Sequence, residues 1–124
     1  MRYRVPRVAY LALGLLAAGL GIFLITSRSA SVLTMIVFAI APDLPLLLGA
    51  APGLARGQIH PRAVPLYNAV HRFWMPLALI AVALALLRSS SWVVAGLAWL
   101  AHIAFDRSSG FGLRSPEGFQ RKPT

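Results

Sequence analysis

The residues most able to do chemistry lie near the C-terminus, where WLAHIAFDRSSGFGLRSPEGF (residues 99–119) changes from an apolar run to a polar tail. His102 and Asp106 stand at this change, four residues apart, so a helix would place both side chains on one face. The chain has only three acidic residues, which are Asp43, Asp106 and Glu117. A carboxylate spaced to meet an imidazole inside an apolar segment therefore indicates a built polar site.

Two other apolar segments carry residues that would complete such a site. We predict a divalent metal, zinc or manganese, held by two imidazoles and two carboxylates, because these ions take nitrogen and oxygen ligands. Three protein ligands would leave a position for a water molecule, which the metal would turn into a nucleophile. The predicted ligands are Asp43, His71, His102 and Asp106, and the residues expected to orient them are Tyr67, Asn68, Arg72 and Arg107.

The same polar residues have other interpretations. The two carboxylates could neutralise Arg72 and Arg107, while the histidines hydrogen-bond between helices and only lock the fold. A proton relay in a small transporter subunit, using Asp43 and Asp106, is a further alternative, as is axial haem ligation by the histidines. The sequence leaves these alternatives open.

The composition is that of a membrane protein. The chain is 58% hydrophobic and only 12% charged, and its mean hydropathy is +0.72, whereas soluble domains contain about 25% charged residues. The absence of cysteine excludes disulfides, thiolate metal sites and a cysteine nucleophile. The net charge of +9 comes from basic residues that flank apolar segments, which favours anionic lipid headgroups as partners over nucleic acid.

Four apolar segments, separated by polar or Gly/Pro-rich turns, predict a single all-α domain, a four-helix transmembrane bundle. The first segment has about 18 residues, just enough to cross a hydrocarbon core of about 30 Å. Pro42 and Pro45 should bend or break the second segment around Asp43. The predicted helices cover residues 8–25, 32–48, 64–87 and 92–106, and a tail covers 107–124.

The basic residues also predict the orientation of the bundle. They are concentrated at both termini and in the central loop, whereas the other two turns carry only Arg28 and Arg88. By the positive-inside rule, both termini should face the cytoplasm of a bacterial inner membrane, and the polar cluster should lie in the cytoplasmic half of the bilayer. The residues behind this prediction are Arg2, Arg4, Arg7, Arg56, Arg62, Arg107, Arg114, Arg121 and Lys122.

Three motifs carry a resemblance to a known family: APDLPLLLG (residues 41–49), LYNAVH (66–71) and the 99–119 segment. They resemble a bacterial family of small multi-pass membrane proteins that is a domain of unknown function, DUF4260. The resemblance extends from residue 32 to about residue 120. It implies a four-helix membrane fold and a membrane location, and it implies no chemistry.

A weaker similarity is to inner-membrane metal-dependent hydrolases, and it depends on Pro42-Asp43, His71-Arg72, and His102 with Asp106 ahead of a glycine turn. That family follows His-Arg with Thr-His-Ser, where this chain has residues 73–75, Phe-Trp-Met. With the predicted ligands, this similarity implies a hydrolase acting on a lipid-like or amphiphilic substrate at the cytoplasmic leaflet. The alternative is a non-catalytic membrane protein whose polar cluster locks the helices.

Overall fold

A computed structural model describes residues 5–121 of the chain. Within them the fold is all-α, as predicted, and the one piece of β-type pairing is an isolated antiparallel bridge between Arg114 and Gln120. Arg2, Arg4 and Lys122, which supported the orientation, lie outside the described residues. The helices in chain order are α1 (Arg7–Arg28), α2 (Val32–Ile40), α3 (Pro45–Leu48), α4 (Val64–Val70), α5 (Trp74–Val82) and α6 (Ser90–Ser108).

Helix α6 is the central helix, and it packs against α1, α2 and α5. The neighbouring helices cover most of the surface of α6, and Val94 and Ile103 are fully buried. Polar residues on α6 can therefore face other helices of the protein instead of its exterior. Small residues let the neighbours approach closely. A Cβ at Gly14 of α1 would lie 2.7 Å from the ring of Phe105, and one at Gly96 of α6 would collide with Ile80 of α5.

The third apolar segment differs from the expected continuous helix over residues 64–87. It consists of α4 and α5, which meet at a bend of 46°, and it ends in a wide π-helical turn, Ala83–Leu87. Proline explains the break, because Pro76 has no N–H to donate and its ring excludes an ordinary helical turn before it. Pro76 is visible in the sequence, but we predicted one continuous helix over residues 64–87 and no break at this proline.

The second apolar segment is interrupted where its prolines predicted. Helix α2 ends at Ile40, a 3₁₀ turn spans Ala41–Asp43, and α3 follows. The turn places Asp43 at the inner side of the chain, facing α4 and α6. This interruption supplies both an acidic side chain and, as described below, a backbone acceptor.

The C-terminal tail folds back on the central loop. Gly112 donates a backbone hydrogen bond to Arg121 (2.9 Å), and the N–H of Ile59 donates to the carbonyl of Gly118 (3.0 Å). Gly118 has φ of 103°, and any Cβ there would collide with the carbonyl of Ile59. Glycine is therefore needed at this position for the tail to contact the loop.

Helix α1 is long and apolar enough to cross a bilayer, and α4 with α5 meets the same requirement if the bent pair counts as one span. The apolar stretch Val32–Leu48 is shorter. Large apolar side chains are exposed on several of the helices, which is unusual for a protein surrounded by water. The most exposed include Val8, Leu16, Phe23, Leu33, Leu47, Trp74, Leu84 and Leu86.

Candidate metal centre

Two carboxylates and two imidazoles from different helical segments meet at one point. Asp43 follows α2, His71 follows α4, and His102 and Asp106 belong to α6. Each contributes one ligand atom, and these four atoms lie within 4.8 Å of one another. They are the four residues that the sequence analysis named as ligands, and together they form a group that could hold a metal ion. We call this group the His/Asp cluster.

The distances within the His/Asp cluster suit a shared central ion. His102 Nε2 is 3.1 Å from Asp43 Oδ1 and 3.3 Å from Asp106 Oδ2, and His71 Nε2 is 3.4 Å from both oxygens. Charged hydrogen bonds of this kind are usually about 2.7–2.9 Å. Two ligands on a tetrahedral zinc, with bonds of about 2.0–2.1 Å, lie about 3.3 Å apart. The four His–Asp distances are near this value, and they also lie within ion-pair distance.

Backbone carbonyls fix both rings through the other nitrogen. His71 Nδ1 donates to the carbonyl of Tyr67 (2.8 Å), and His102 Nδ1 donates to the carbonyl of Ala39 (2.7 Å). The Ala39 carbonyl is available because the chain leaves α-helical geometry at the following 3₁₀ turn. Since a carbonyl can only accept, each Nδ1 carries a proton, and the Nε2 of a neutral ring then presents a lone pair.

The two Nε2 atoms and two carboxylate oxygens consequently face the same space, and His102 Nε2 lies within hydrogen-bond distance of Asp43 Oδ1 (3.1 Å). The two carboxylates would repel each other without a positive charge between them, either a metal ion or protonated imidazoles. His71 Nε2 is buried and has no hydrogen-bond partner, which is a costly state for a polar atom. A proton on each Nε2 could serve only one carboxylate well, although each nitrogen is nearly equidistant from two. A divalent cation at the centre would satisfy all four atoms at once.

Two of the predicted supporting residues contact the cluster. The ring of Tyr67 stacks on His71 with centroids 3.9 Å apart, and Arg107 donates to the carbonyl of His71 (3.0 Å). Asn68 instead forms paired hydrogen bonds with the backbone of Arg114. Arg72 is exposed on the protein surface, and among the described residues the close partners of both carboxylates are histidines rather than arginines.

The break between α4 and α5 also contributes to this support. It leaves the carbonyls of Val70 and His71 without their usual helical donors, and the side chains of α6 replace those donors. Trp99 Nε1 donates to Val70 (2.7 Å), and Arg107 donates to His71. Side chains of neighbouring helices often satisfy a broken helix in this way, and here they hold His71 in place.

Two cavities reach the cluster from different sides. The first, which we call the polar cavity, has a volume of about 190 Å³ and is lined by Asp43, Leu46, Tyr67, Asp106, Phe111, Arg114 and Gln120. The second, the apolar cavity, has a volume of about 300 Å³ between α1, α2 and α6. It is lined by Ala18, Met35, Ala39, Ala98, Ala101, His102, Phe105 and Asp106. The cluster therefore lies between a polar and an apolar space.

Sequence reasoning missed Arg114 and Gln120 as neighbours of the cluster. Both belong to the tail, whose basic residues supported only the predicted orientation of the bundle. Their position depends on the contact between the tail and the central loop. The positive-φ glycine at position 118 is the one local signal of that contact, and a single sequence does not reveal which carbonyl it approaches.

The family of the chain follows from a comparison with family profiles. The profile described as domain of unknown function (DUF4260) matches residues 10–122, which include the whole His/Asp cluster. Searches of curated proteins and of solved structures found no match, so the similarity to inner-membrane metal-dependent hydrolases gains no support from them. Because the matching profile covers nearly the entire sequence, the chain belongs to the DUF4260 family.

Proposed function

We propose that this protein is a membrane-embedded, divalent-metal-dependent hydrolase with an amphiphilic substrate. The observation that carries the proposal is the convergence of two backbone-anchored imidazoles and two carboxylates next to a cavity. His71 Nε2 is buried and makes no hydrogen bond, although it lies 3.4 Å from Asp43 Oδ1 and from Asp106 Oδ2. The unsatisfied atom and the inward-facing carboxylates together favour a ligand that the chain itself does not supply.

Zinc or manganese suits the donor set, in which His71, His102, Asp43 and Asp106 would be the ligands. Such an ion would act as a Lewis acid and would lower the pKa of a coordinated water molecule to about 7. The side chain of Asp43 is 46% exposed, against 29% for Asp106 and 3% for His71. Asp43, the most exposed of these three side chains, lines the polar cavity, through which water and a substrate could reach the cluster. If Asp43 were not a ligand, three protein ligands would leave one position for water.

The bilayer location is part of the proposal. Helix α1 has the length and composition of a membrane span, and the exposed apolar side chains on α2, α3 and α5 would contact lipid. We place the four helical segments across a bacterial inner membrane with both termini in the cytoplasm, because the basic residues flank the segments on that side. Anionic headgroups would then meet the arginines of the loop and tail.

The two cavities favour an amphiphilic substrate. The apolar cavity lies between helices whose outer surfaces are apolar, and it ends at His102 and Asp106. The polar cavity is lined by Asp106 as well, together with Asp43. A molecule with a hydrocarbon part and a polar reactive group could place each part in the matching space, with the reactive group at the cluster.

Metal content is the experiment that tests this function. Protein purified in detergent should contain about one zinc or manganese per chain, and His102→Ala should lose it. His60→Ala is the matched control, because His60 lies in the loop and its Nδ1 accepts only from the N–H of Arg62. Equal, substoichiometric metal in all three proteins would contradict the proposal. If metal is present, hydrolysis of ester-containing amphiphiles by the wild type, absent in His102→Ala, would establish the enzymatic role.

One observation favours the non-catalytic alternative. The hydrogen bond from His102 to the carbonyl of Ala39 joins α6 to α2, which is what a helix fastener would do. In that role the protein would bind no metal, and His102→Ala would lower stability without affecting any activity. The metal measurement therefore separates the two functions.

A further inference from the structure

The polar cavity contains a positive charge that no acidic residue neutralises. Arg114 lines this cavity together with both carboxylates of the cluster. Within residues 5–121, its guanidinium forms no ion pair, since the close contacts of Asp43 and Asp106 are to histidines. Its Nε is buried and has no hydrogen-bond partner.

Several contacts hold Arg114 in place. Its backbone forms two hydrogen bonds with the side chain of Asn68 (2.7 and 2.9 Å), and its Nη1 donates to the carbonyls of Gly57 and Gly118. The guanidinium lies over the ring of Tyr67, 5.0 Å from its centroid. Within residues 5–121 these bonds use Nη1, and Nε is buried, so Arg114 is fixed while the two N–H groups of Nη2 remain as donors.

With a divalent metal ion bound to the cluster, the site would carry a net positive charge unless an anion were also bound. A divalent ion would be neutralised by Asp43 and Asp106, and Arg114 would then leave one positive charge beside the cavity. Tyr67 adds a neutral donor, because its hydroxyl accepts from Gln120 Nε2 (3.0 Å) and its own proton is free to donate. The cavity thus combines a metal position, a guanidinium and a phenolic O–H around one space.

We propose that the polar cavity is a binding site for a phosphate group, which bridges the metal ion and Arg114. This inference rests on the proposed metal centre and names the substrate group that would meet it. A phosphate has enough oxygens, in a tetrahedral arrangement, to reach the metal, Arg114 and Tyr67 together. The N–H groups of Arg114 Nη2 are charged donors, and charge-assisted hydrogen bonds to phosphate oxygens are short and strong. The phosphate could belong to a lipid headgroup or be free in solution.

Titration of the metal-loaded protein with inorganic phosphate tests the site. We expect wild-type protein in detergent to bind phosphate in calorimetry, and Arg114→Gln to weaken the affinity by at least about tenfold while keeping its metal. Arg121→Gln is the matched control, since it removes the same charge from an exposed position of the same tail. Removal of the metal with a chelator should abolish binding.

A second variant covers the case in which Arg114→Gln disturbs the tail. Tyr67→Phe keeps the ring that stacks on His71 and removes only the hydroxyl, so it should retain metal and bind phosphate about fivefold more weakly. Wild-type protein that holds metal but binds no phosphate, or equal phosphate affinity in wild type, Arg114→Gln and Tyr67→Phe, would overturn this inference and leave the metal centre intact. Absence of metal from the wild type would overturn both.

The source of the phosphate is tested in nanodiscs made of digalactosyldiacylglycerol, a lipid without phosphate. If a small fraction of phosphatidic acid competes with inorganic phosphate, and Arg114→Gln removes the competition, the site takes a lipid headgroup. If inorganic phosphate binds equally well with and without phosphatidic acid, the site takes free phosphate. Both results support a phosphate site, and failure of both inorganic phosphate and phosphatidic acid to bind the metal-loaded protein contradicts it.

Discussion

The two ends of the helical bundle differ in what their uncharged and titratable side chains bind: serines at one end accept from backbone N–H groups, and histidines at the other donate to backbone carbonyls. At the end that contains Ser31 and Ser89, side chains satisfy the backbone: Ser89 caps α6 by accepting from Trp92, and Ser91 accepts from the N–H of Ser31. At the end that contains the His/Asp cluster, the backbone satisfies side chains, since the carbonyls of Tyr67 and Ala39 accept from histidine Nδ1 atoms.

This difference separates a structural end from a candidate functional one. At the serine end, the hydroxyl oxygens of Ser31, Ser89 and Ser91 already accept hydrogen bonds from backbone N–H groups. Carbonyl acceptors instead fix the imidazoles through one nitrogen and leave the other nitrogen available, which is how metal-binding histidines are usually oriented. The carbonyl of Ala39 is available because a proline-containing turn interrupts α2. Broken helices are therefore what distinguishes the cluster end.

Among the variants that test the difference between the two ends, Arg107→Gln should have the largest effect, which is a loss of metal affinity at the cluster. Without the guanidinium, the carbonyl of His71 loses its donor and the ring loses part of its support, so metal affinity should fall by about tenfold or more. Arg72→Gln is the matched control, because Arg72 is the adjacent exposed arginine of the same break. Calorimetric titration with zinc measures both. Equal affinity in the two variants would show that support of His71 does not contribute to metal binding.

A smaller effect is expected at the opposite end. Ser89→Ala removes the N-cap of α6 and should lower the free energy of unfolding by about 1 kcal/mol, with metal affinity unchanged. Chemical denaturation in detergent, together with a zinc titration, measures the two quantities separately. A loss of metal affinity would contradict the division between the two ends, because it would mean that the cap and the cluster are coupled along α6.

The sequence predicted the all-α fold and the identity of the residues that meet. The convergence of Asp43, His71 and Asp106 is what the sequence predicted, because charged groups in apolar segments are expected to face one another. Pro42 and Pro45 similarly predicted the interruption of the second segment. These predictions need only composition and helical geometry.

Other features could not be predicted because they depend on backbone geometry or on long-range contacts. The bend after α4 depends on whether α6 can satisfy the carbonyls of Val70 and His71, which the break leaves without helical donors, and Trp99 and Arg107 do so. The position of Arg114 depends on the contact between Gly118 and Ile59, which are distant in sequence. Neither the contacts of α6 with these carbonyls nor the contact between Gly118 and Ile59 produces a recognisable pattern in a single sequence.

Thermal unfolding of wild-type protein and Asp106→Asn, each in chelator and with added zinc or manganese, tests the metal centre most directly. If the cluster binds metal, the wild type should gain about 2.7 kcal/mol at a metal concentration 100 times the dissociation constant, and Asp106→Asn should gain nothing. In chelator the variant should be at least as stable as the wild type, because it lacks one of two carboxylates sharing a site. A wild type that does not respond to metal, with Asp106→Asn about 3–5 kcal/mol less stable in chelator, would contradict the account and show that Asp106 is an ion-pair partner.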